Sequence, residues 1–264
     1  MKLKTAFLIA VATAFALVGC SSSEPTAETA APGAAPKSDF KVALLTPSPI
    51  SDAGWSAMAY EGLKEIEKEL GATVNTQEAT GTKINDAMRS YAQEGYQLVI
   101  GHGFEYNEPG AALAEQFPKT TFVSSSGGKT AANAGAFRFY LEQGFYLAGM
   151  AAAKISKSGQ LAMVGLSVPS INSTFKAFEA GAKAARPDIK VSTVTLTSGS
   201  DVAAAKLATL QAIRAGADII IHQANAAAQG VFDACAQEGA SAIGANSDQN
   251  ANASNAVIAS AVII

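Results

Sequence analysis

Cysteine, histidine and tryptophan are nearly missing from this chain, which has two cysteines, two histidines and one tryptophan in 264 residues. One cysteine, Cys20, falls inside an N-terminal leader, so no disulfide framework is expected. The histidines, His102 and His222, both sit at predicted strand ends; a zinc site needs about three suitably spaced protein ligands. No third ligand is evident, and no metal is expected. Lysine and arginine are scattered, the net charge is −3 and no basic stripe forms, which argues against a nucleic-acid partner. Nucleotide and hydrolase signatures fail as well. Gly101-His102-Gly103 has Tyr106 in the place of the third glycine of a dinucleotide fingerprint. Gly128-Lys129-Thr130 resembles the end of a phosphate loop, but Val123 stands where its first glycine belongs and no helix opens after Thr130. Gly165-Leu166-Ser167-Val168-Pro169 lacks the second glycine of a nucleophile elbow. No acid–base dyad stands out and no short internal repeat is visible. The expectation is a protein without cofactor that is not an enzyme.

What is present begins with a targeting segment. Residues 1–19 carry Lys2 and Lys4 ahead of an apolar stretch from Ala6 to Val18, too short for a comfortable membrane span. Leu17-Val18-Gly19-Cys20 looks like a bacterial lipobox, which makes Cys20 the expected lipidated N-terminus. Ordinary secretion and an uncleaved anchor are the alternatives. Residues 20–39 are rich in Ser, Pro and Ala without apolar periodicity and read as a disordered tether. The domain would then stand at the cell envelope, facing the periplasm or the exterior.

From Phe40 onward, apolar strands alternate with amphipathic helices, the pattern of an α/β protein. Val42–Leu45 reads as a buried strand, Pro47 and Pro49 end it, and Ser51 or Asp52 can cap the helix that runs to Gly71. Two successive βα series imply two doubly wound lobes around a cleft, 40–140 and 141–252, with crossings near 137–142 and 250–258. Residues 253–264 read as a strand returning to the first lobe. The ending AVIASAVII, uncapped and apolar, suggests that a C-terminal part of the fold is missing. Small residues in 141–155 (Gly144, Ala148, Gly149, Ala152) are expected to let that helix approach a sheet closely.

Ligands of open α/β sheets bind outside the carboxyl ends of the strands, and the polar and aromatic residues of this chain gather there. Trp55, Phe104, Tyr106 and Phe175 are candidates to sandwich a flat ring, although Phe175 fits a core position equally well. Asp52, Glu105, Asn225, Asn246 and Asp248 can hydrogen-bond ring edges or hydroxyls. Ser56, Gly103 and Ser125 complete the candidate ligand-binding set. Cys235, on an amphipathic helix, reads as a small buried hydrophobe.

These residues also carry a resemblance. Asp52-Ala53-Gly54-Trp55-Ser56 through Gly62, Gly101–Phe104, Glu142–Gly149, Pro169 with Phe175–Gly181, Ala215–Asp218 and Ile243-Gly244 through Gln249 resemble the basic membrane protein family of ABC-transporter substrate-binding lipoproteins, the purine nucleoside receptor-like group. The resemblance implies a type I periplasmic-binding-protein fold, capture of a purine nucleoside or base, delivery to an ABC permease, and a monomer. It implies that Asp52, Trp55 and Phe104 contact the ligand from one lobe and that Phe175 stacks from the other. Three positions depart from the family pattern: Asn246 replaces an aspartate that binds ribose, Trp55 replaces a phenylalanine, and Ile263 lies near the place of a lysine. These departures keep a bare base or another flat heterocycle in play. A ligand-sensing domain for a membrane receptor and a nucleoside-processing enzyme are the rival readings.

Overall fold

The computed structural model describes residues 38–52 and 54–263. The expected leader, the lipidation site Cys20 and nearly all of the tether lie outside the described residues.

The first series runs β1 (Lys41–Thr46), α1 (Trp55–Leu70), β2 (Thr73–Glu78), α2 (Lys83–Gln93), β3 (Leu98–Gly101), α3 (Asn107–Leu113), β4 (Thr121–Ser125) and β5 (Ala134–Phe137). A crossover over residues 138–141 leads to the second series. It comprises α4 (Glu142–Ile155), β6 (Gln160–Leu166), α5 (Pro169–Ala185), β7 (Lys190–Leu196), α6 (Val202–Arg214), β8 (Ile219–Gln223), α7 (Ala228–Glu238), β9 (Ser241–Asn246) and β10 (Val257–Val262). Local sequence explains the boundaries. Val42 to Leu45 are fully buried within β1, and Gly71, at φ 62°, ends α1 in the left-handed conformation that side chains resist.

Each series builds one five-stranded parallel sheet, in the orders β2-β1-β3-β4-β5 and β7-β6-β8-β9-β10. Strand for strand the two orders are the same. Each sheet therefore reverses direction of winding at one point, between β1 and β3 in the first and between β6 and β8 in the second, where doubly wound sheets bind ligands. The cores follow. Ala43, Leu45, Met88, Val99 and Phe122 pack on one face of the first sheet, while Val164, Ile220, Val231 and Phe232 form a core of the second. Cys235 lies in that second core, where burial pushes its thiol up to about 12.

Two expectations are corrected here. β10 does not return to the first lobe; it pairs in parallel with β9, from Val257 opposite Ala242 to Val262 opposite Asn246, as the edge of the second sheet. Its buried residues, Val257 and Ala261, extend the cores of that sheet. Among the small residues of α4, Gly149 serves a helix rather than a sheet. A Cβ on Gly149 would lie 2.0 Å from the Phe178 carbonyl oxygen, and one on Gly181 would lie 2.0 Å from that of Tyr146, so α4 and α5 touch backbone to backbone. Gly144 faces a strand, opposite Ala261, and Ala152 is fully buried in the core shared with that sheet.

Gly149→Val and Gly181→Val are accordingly expected to destabilise the fold by at least ~2 kcal/mol each, because backbone must move to admit the side chain. Gly62, inside α1 with open space around its Cβ direction, is the contrasting case: Gly62→Ala is expected to stabilise by ~0.5–1 kcal/mol. Urea denaturation of the three variants measures both effects.

Candidate functional site

A cleft of about 690 Å³ lies where the two switch points face each other. Loops after β1, β3 and β4 supply Pro47, Trp55, Gly103, Phe104, Glu105, Ser125 and Ser126. The opposite wall comes from the end of β6 and the start of α5 (Leu166, Val168, Ser170, Ile171, Thr174) and from the end of β8 and the loop after it (Gln223, Asn225). Phe139 and Leu141 of the crossover close the remaining side.

Trp55 is held from both ends. Its indole stacks on His102 with ring centroids 3.9 Å apart, and its Nε1 donates to the His102 carbonyl oxygen at 3.0 Å. His102 answers by donating from Nε2 to the Trp55 carbonyl oxygen at 2.9 Å. Phe139 meets the same indole edge-on at 5.8 Å. His102 is buried, and desolvation pushes its pKa down to about 4, so the ring is neutral at ordinary pH.

Asp52 organises the approach to Trp55. Its Oδ1 accepts from the backbone N–H of Gly54 and Ala57, and its Oδ2 from Ser56 N–H and the Ser48 hydroxyl. A carboxylate has about four acceptor positions, and here the loop and the first turn of α1 use that number. Asp52, expected as a direct ligand contact, acts here as a cap that shapes the loop and does not line the cleft. Ser56 is fully buried against Ser48 at 2.8 Å and forms no part of the cleft wall.

On the β3 loop, Gly103, Phe104 and Glu105 line the cleft, and Phe104 is 44% exposed. Tyr106 is not a cleft ring. It is fully buried in the first-sheet core, its hydroxyl donates to the Ala79 carbonyl oxygen at 2.7 Å, and it occupies space that only Gly101 leaves open. Asn107 secures the next loop: its amide nitrogen donates to Ser124 Oγ and its oxygen accepts from Gly128 and Lys129 N–H. That loop presents Ser125, whose Oγ is buried in the cleft wall without a hydrogen-bond partner.

The second lobe departs further from expectation. Phe175 belongs to the core between α4, α5 and the sheet, 6.3 Å from Phe145 and against Gly165. Its helical neighbours Ile171 and Thr174 reach the cleft instead. Asn225, at φ 49°, does line the cleft. Asn246 is buried outside the wall, at φ 74° and with Oδ1 unpartnered, while Asp248 is exposed and accepts only from Asn250 N–H among the described contacts. His222 is likewise interior; it donates from Nε2 to Gln249 Oε1 at 2.9 Å, and burial pushes its pKa down to about 4. Phe139, Leu141, Ile171, Thr174 and Gln223 were not anticipated. Phe139 and Leu141 lie in the crossover, Gln223 is the last residue of β8, and Ile171 and Thr174 lie in the first turns of α5. Among the described residues, no group of three or more His, Cys, Asp or Glu side chains gathers where it could hold a metal.

Two parallel sheets of one strand order, facing each other across a cleft at their switch points, make the type I periplasmic-binding-protein fold. The chain belongs to the Bmp family of PnrA-like ABC transporter substrate-binding proteins, whose profile matches residues 40–263. It is 30% identical over 232 residues to the ABC transporter nucleoside-binding protein BmpA of Lactococcus lactis, covering 85% of this chain and 65% of that one. It is 29% identical over 194 residues to a purine-binding protein of Brucella abortus, covering 72% of this chain and 55% of the relative. The chain thus spans between about half and two thirds of these relatives. A solved ABC transporter solute-binding protein from Aeropyrum pernix shares the fold with a TM-score of 0.73 at 20% identity, over 80% of this chain and 63% of that one.

Both buried histidines bind protons less readily folded than unfolded, where the ordinary pKa is 6.5. Their contribution to stability is complete above about pH 6.5 and is lost as pH falls toward 4. Denaturation midpoints are expected to drop already between about pH 6.5 and 5, with a slope of up to ~1.4 kcal/mol per pH unit for each histidine, and His222→Gln is expected to flatten it. Asp52→Ala, which strips several N–H groups of their acceptor, is expected to cost ~1–3 kcal/mol in the same assay.

Proposed function

We propose that this protein is the extracytoplasmic binding component of an ABC importer, anchored by lipid at Cys20, that captures a purine nucleoside or nucleobase and releases it unaltered to its permease. The observation that carries this reading is Trp55: an indole backed by a neutral imidazole, braced by Phe139 and set in the cleft wall. Such a ring suits stacking with a planar heterocycle, worth ~1–3 kcal/mol per base. Phe104 extends the aromatic side, and Ser125, Gln223 and Asn225 offer hydrogen bonds to ring edges or hydroxyls. Leu166, Val168 and Ile171 supply an aliphatic opposite face, in the role first assigned to Phe175. The named functions of the Lactococcus and Brucella relatives support the same ligand class.

A ligand touching both walls binds the closed arrangement of the lobes better than the open one, and that difference drives closure. No covalent step is involved, and a single copy of the chain suffices.

Titration calorimetry of the full chain with inosine, adenosine and hypoxanthine tests the reading. Trp55→Ala is expected to weaken binding by about tenfold or more, in line with the loss of one stacking face. Because Trp55 is the chain's one tryptophan, its fluorescence is expected to change on binding in the wild type. Absence of binding by every purine, or an affinity untouched by the substitution, refutes the proposal, as does recovery of a chemically altered solute.

A further inference from the structure

Among the described residues the chain passes between the two sheets once, over residues 138–141. One covalent joint does not by itself fix how two lobes face each other across a cleft. Gln249, shortly beyond the end of β9 in the second lobe, supplies a further contact.

The Gln249 side chain is buried, and a carboxamide so enclosed needs partners at both of its ends. Its oxygen finds them within the second lobe. Oε1 accepts from the Ala245 N–H at 2.8 Å and from His222 Nε2 at 2.9 Å. A backbone N–H can only donate, so the atom facing Ala245 is the oxygen and the amide nitrogen points the other way. His222 is held in the matching tautomer, because its Nδ1 accepts from the Ala224 N–H at 3.4 Å. The Gln249 backbone is tied as well, its N–H donating to Ser260 Oγ at 3.1 Å. Gln249 is thus anchored to β8, β9 and β10, which are neighbours in the second sheet.

The nitrogen reaches the first lobe. Nε2 lies 3.4 Å from where a Cβ on Gly54 would stand, and Gly54 is the buried residue that opens α1 directly before Trp55. On its own side Gly54 donates its N–H to Asp52 Oδ1 at 3.0 Å. It therefore stands between a carboxylate of its own lobe and an amide of the other. Phe139 of the crossover meets the Trp55 indole itself. The covalent joint and Gln249 converge on one residue of the cleft wall.

We propose that Gln249 is a positioning residue of the cleft: anchored on three strands of the second lobe, it steadies the loop that carries Trp55 and so holds the two walls where one solute touches both. The part of this that concerns affinity rests on the purine reading above; the contact between lobes does not.

The test uses the full chain and its one tryptophan. Gln249→Met keeps the length of the side chain without its amide, and Gln249→Ala removes both. Cys235→Ala, a core change in the same lobe that does not line the cleft, controls for lost stability. Without solute, acrylamide quenching of Trp55 fluorescence is expected to rise at least about 1.5-fold in both Gln249 variants, as the released lobes uncover the indole, and to stay at the wild-type level in Cys235→Ala. Inosine affinity, measured by calorimetry, is expected to fall at least about threefold in the same two variants, because a less populated binding arrangement lowers the apparent affinity in proportion. A role confined to the second lobe would lower the denaturation midpoint without moving the signal of a first-lobe indole. Quenching equal to the wild type in both variants therefore overturns the proposal, as does an equal rise in Cys235→Ala or an inosine affinity that neither variant changes. Where circular dichroism shows one variant unfolded, the other decides; loss of the fold in both makes Gln249 a structural residue and overturns the proposal too. If the wild type binds no inosine, the purine reading falls and the quenching result alone decides on Gln249.

Discussion

The mutual clasp of Trp55 and His102 is the contact on which the site depends. Trp55 begins α1, after the loop that leaves β1, and His102 follows β3. β1 and β3 are sheet neighbours only because the winding reverses between them. The two side-chain hydrogen bonds and the ring stack therefore bridge the switch point itself, closing the crevice floor that the topology opens. The clasp needs a neutral imidazole that donates from Nε2 while its ring face lies against the indole, and burial provides that protonation state. A histidine held in this way supports the indole from behind.

Support for the clasp comes in layers. Asp52 fixes the loop before Trp55, and Asn107 fixes the loop bearing Ser125. The crossover adds Phe139 to the aromatic side and, two residues later, Leu141 to the cavity. Arg138 pairs with Glu142, which also accepts from Ser173 of α5, so the crossover segment is bonded to the second lobe while its phenyl ring rests on the first. Rings on the ligand side and hydrogen bonds behind them form one continuous structure from cleft to crossover. Rigidity of this kind suits recognition, because less freedom remains to be lost when a solute binds.

Much of this was legible in the chain. Buried strands such as Val42–Leu45, the helix stop at Gly71 and the placement of candidate residues at strand ends all follow from periodicity and turn chemistry. Pairing was not. His102 as partner of Trp55 requires knowing that β1 and β3 are adjacent, and β10 joined β9 although its apolar pattern suits either sheet. Tyr106 and Phe175 show a different limit. A ring beside a strand end turns inward or outward according to the space behind it: Gly101 opens that space for Tyr106, and Gly165 for Phe175. Phe175 also shares the helical spacing of Phe178 and Ala182, both fully buried, so the core could claim it as readily as the cleft. For Asp52 the local signal competed with the family likeness, and the local one described its bonding.

The inward turn of Phe175 changes what the cleft is. With aromatic rings on one wall and Leu166, Val168 and Ile171 on the other, the planar solute proposed above would meet a different surface on each face. Stacking on the first wall is available while the lobes stand apart, whereas aliphatic contact from the second wall is gained only when they approach. On that proposed reading, binding and closure would draw on separate contacts, the first set by Trp55 and its clasp, the second by the end of β6 and the start of α5. A solute that fills one wall alone would be held without shifting the lobes, because only a difference in affinity between the open and closed arrangements moves that equilibrium. Discrimination among flat heterocycles can thus reside as much in what completes the aliphatic wall as in what stacks on the indole.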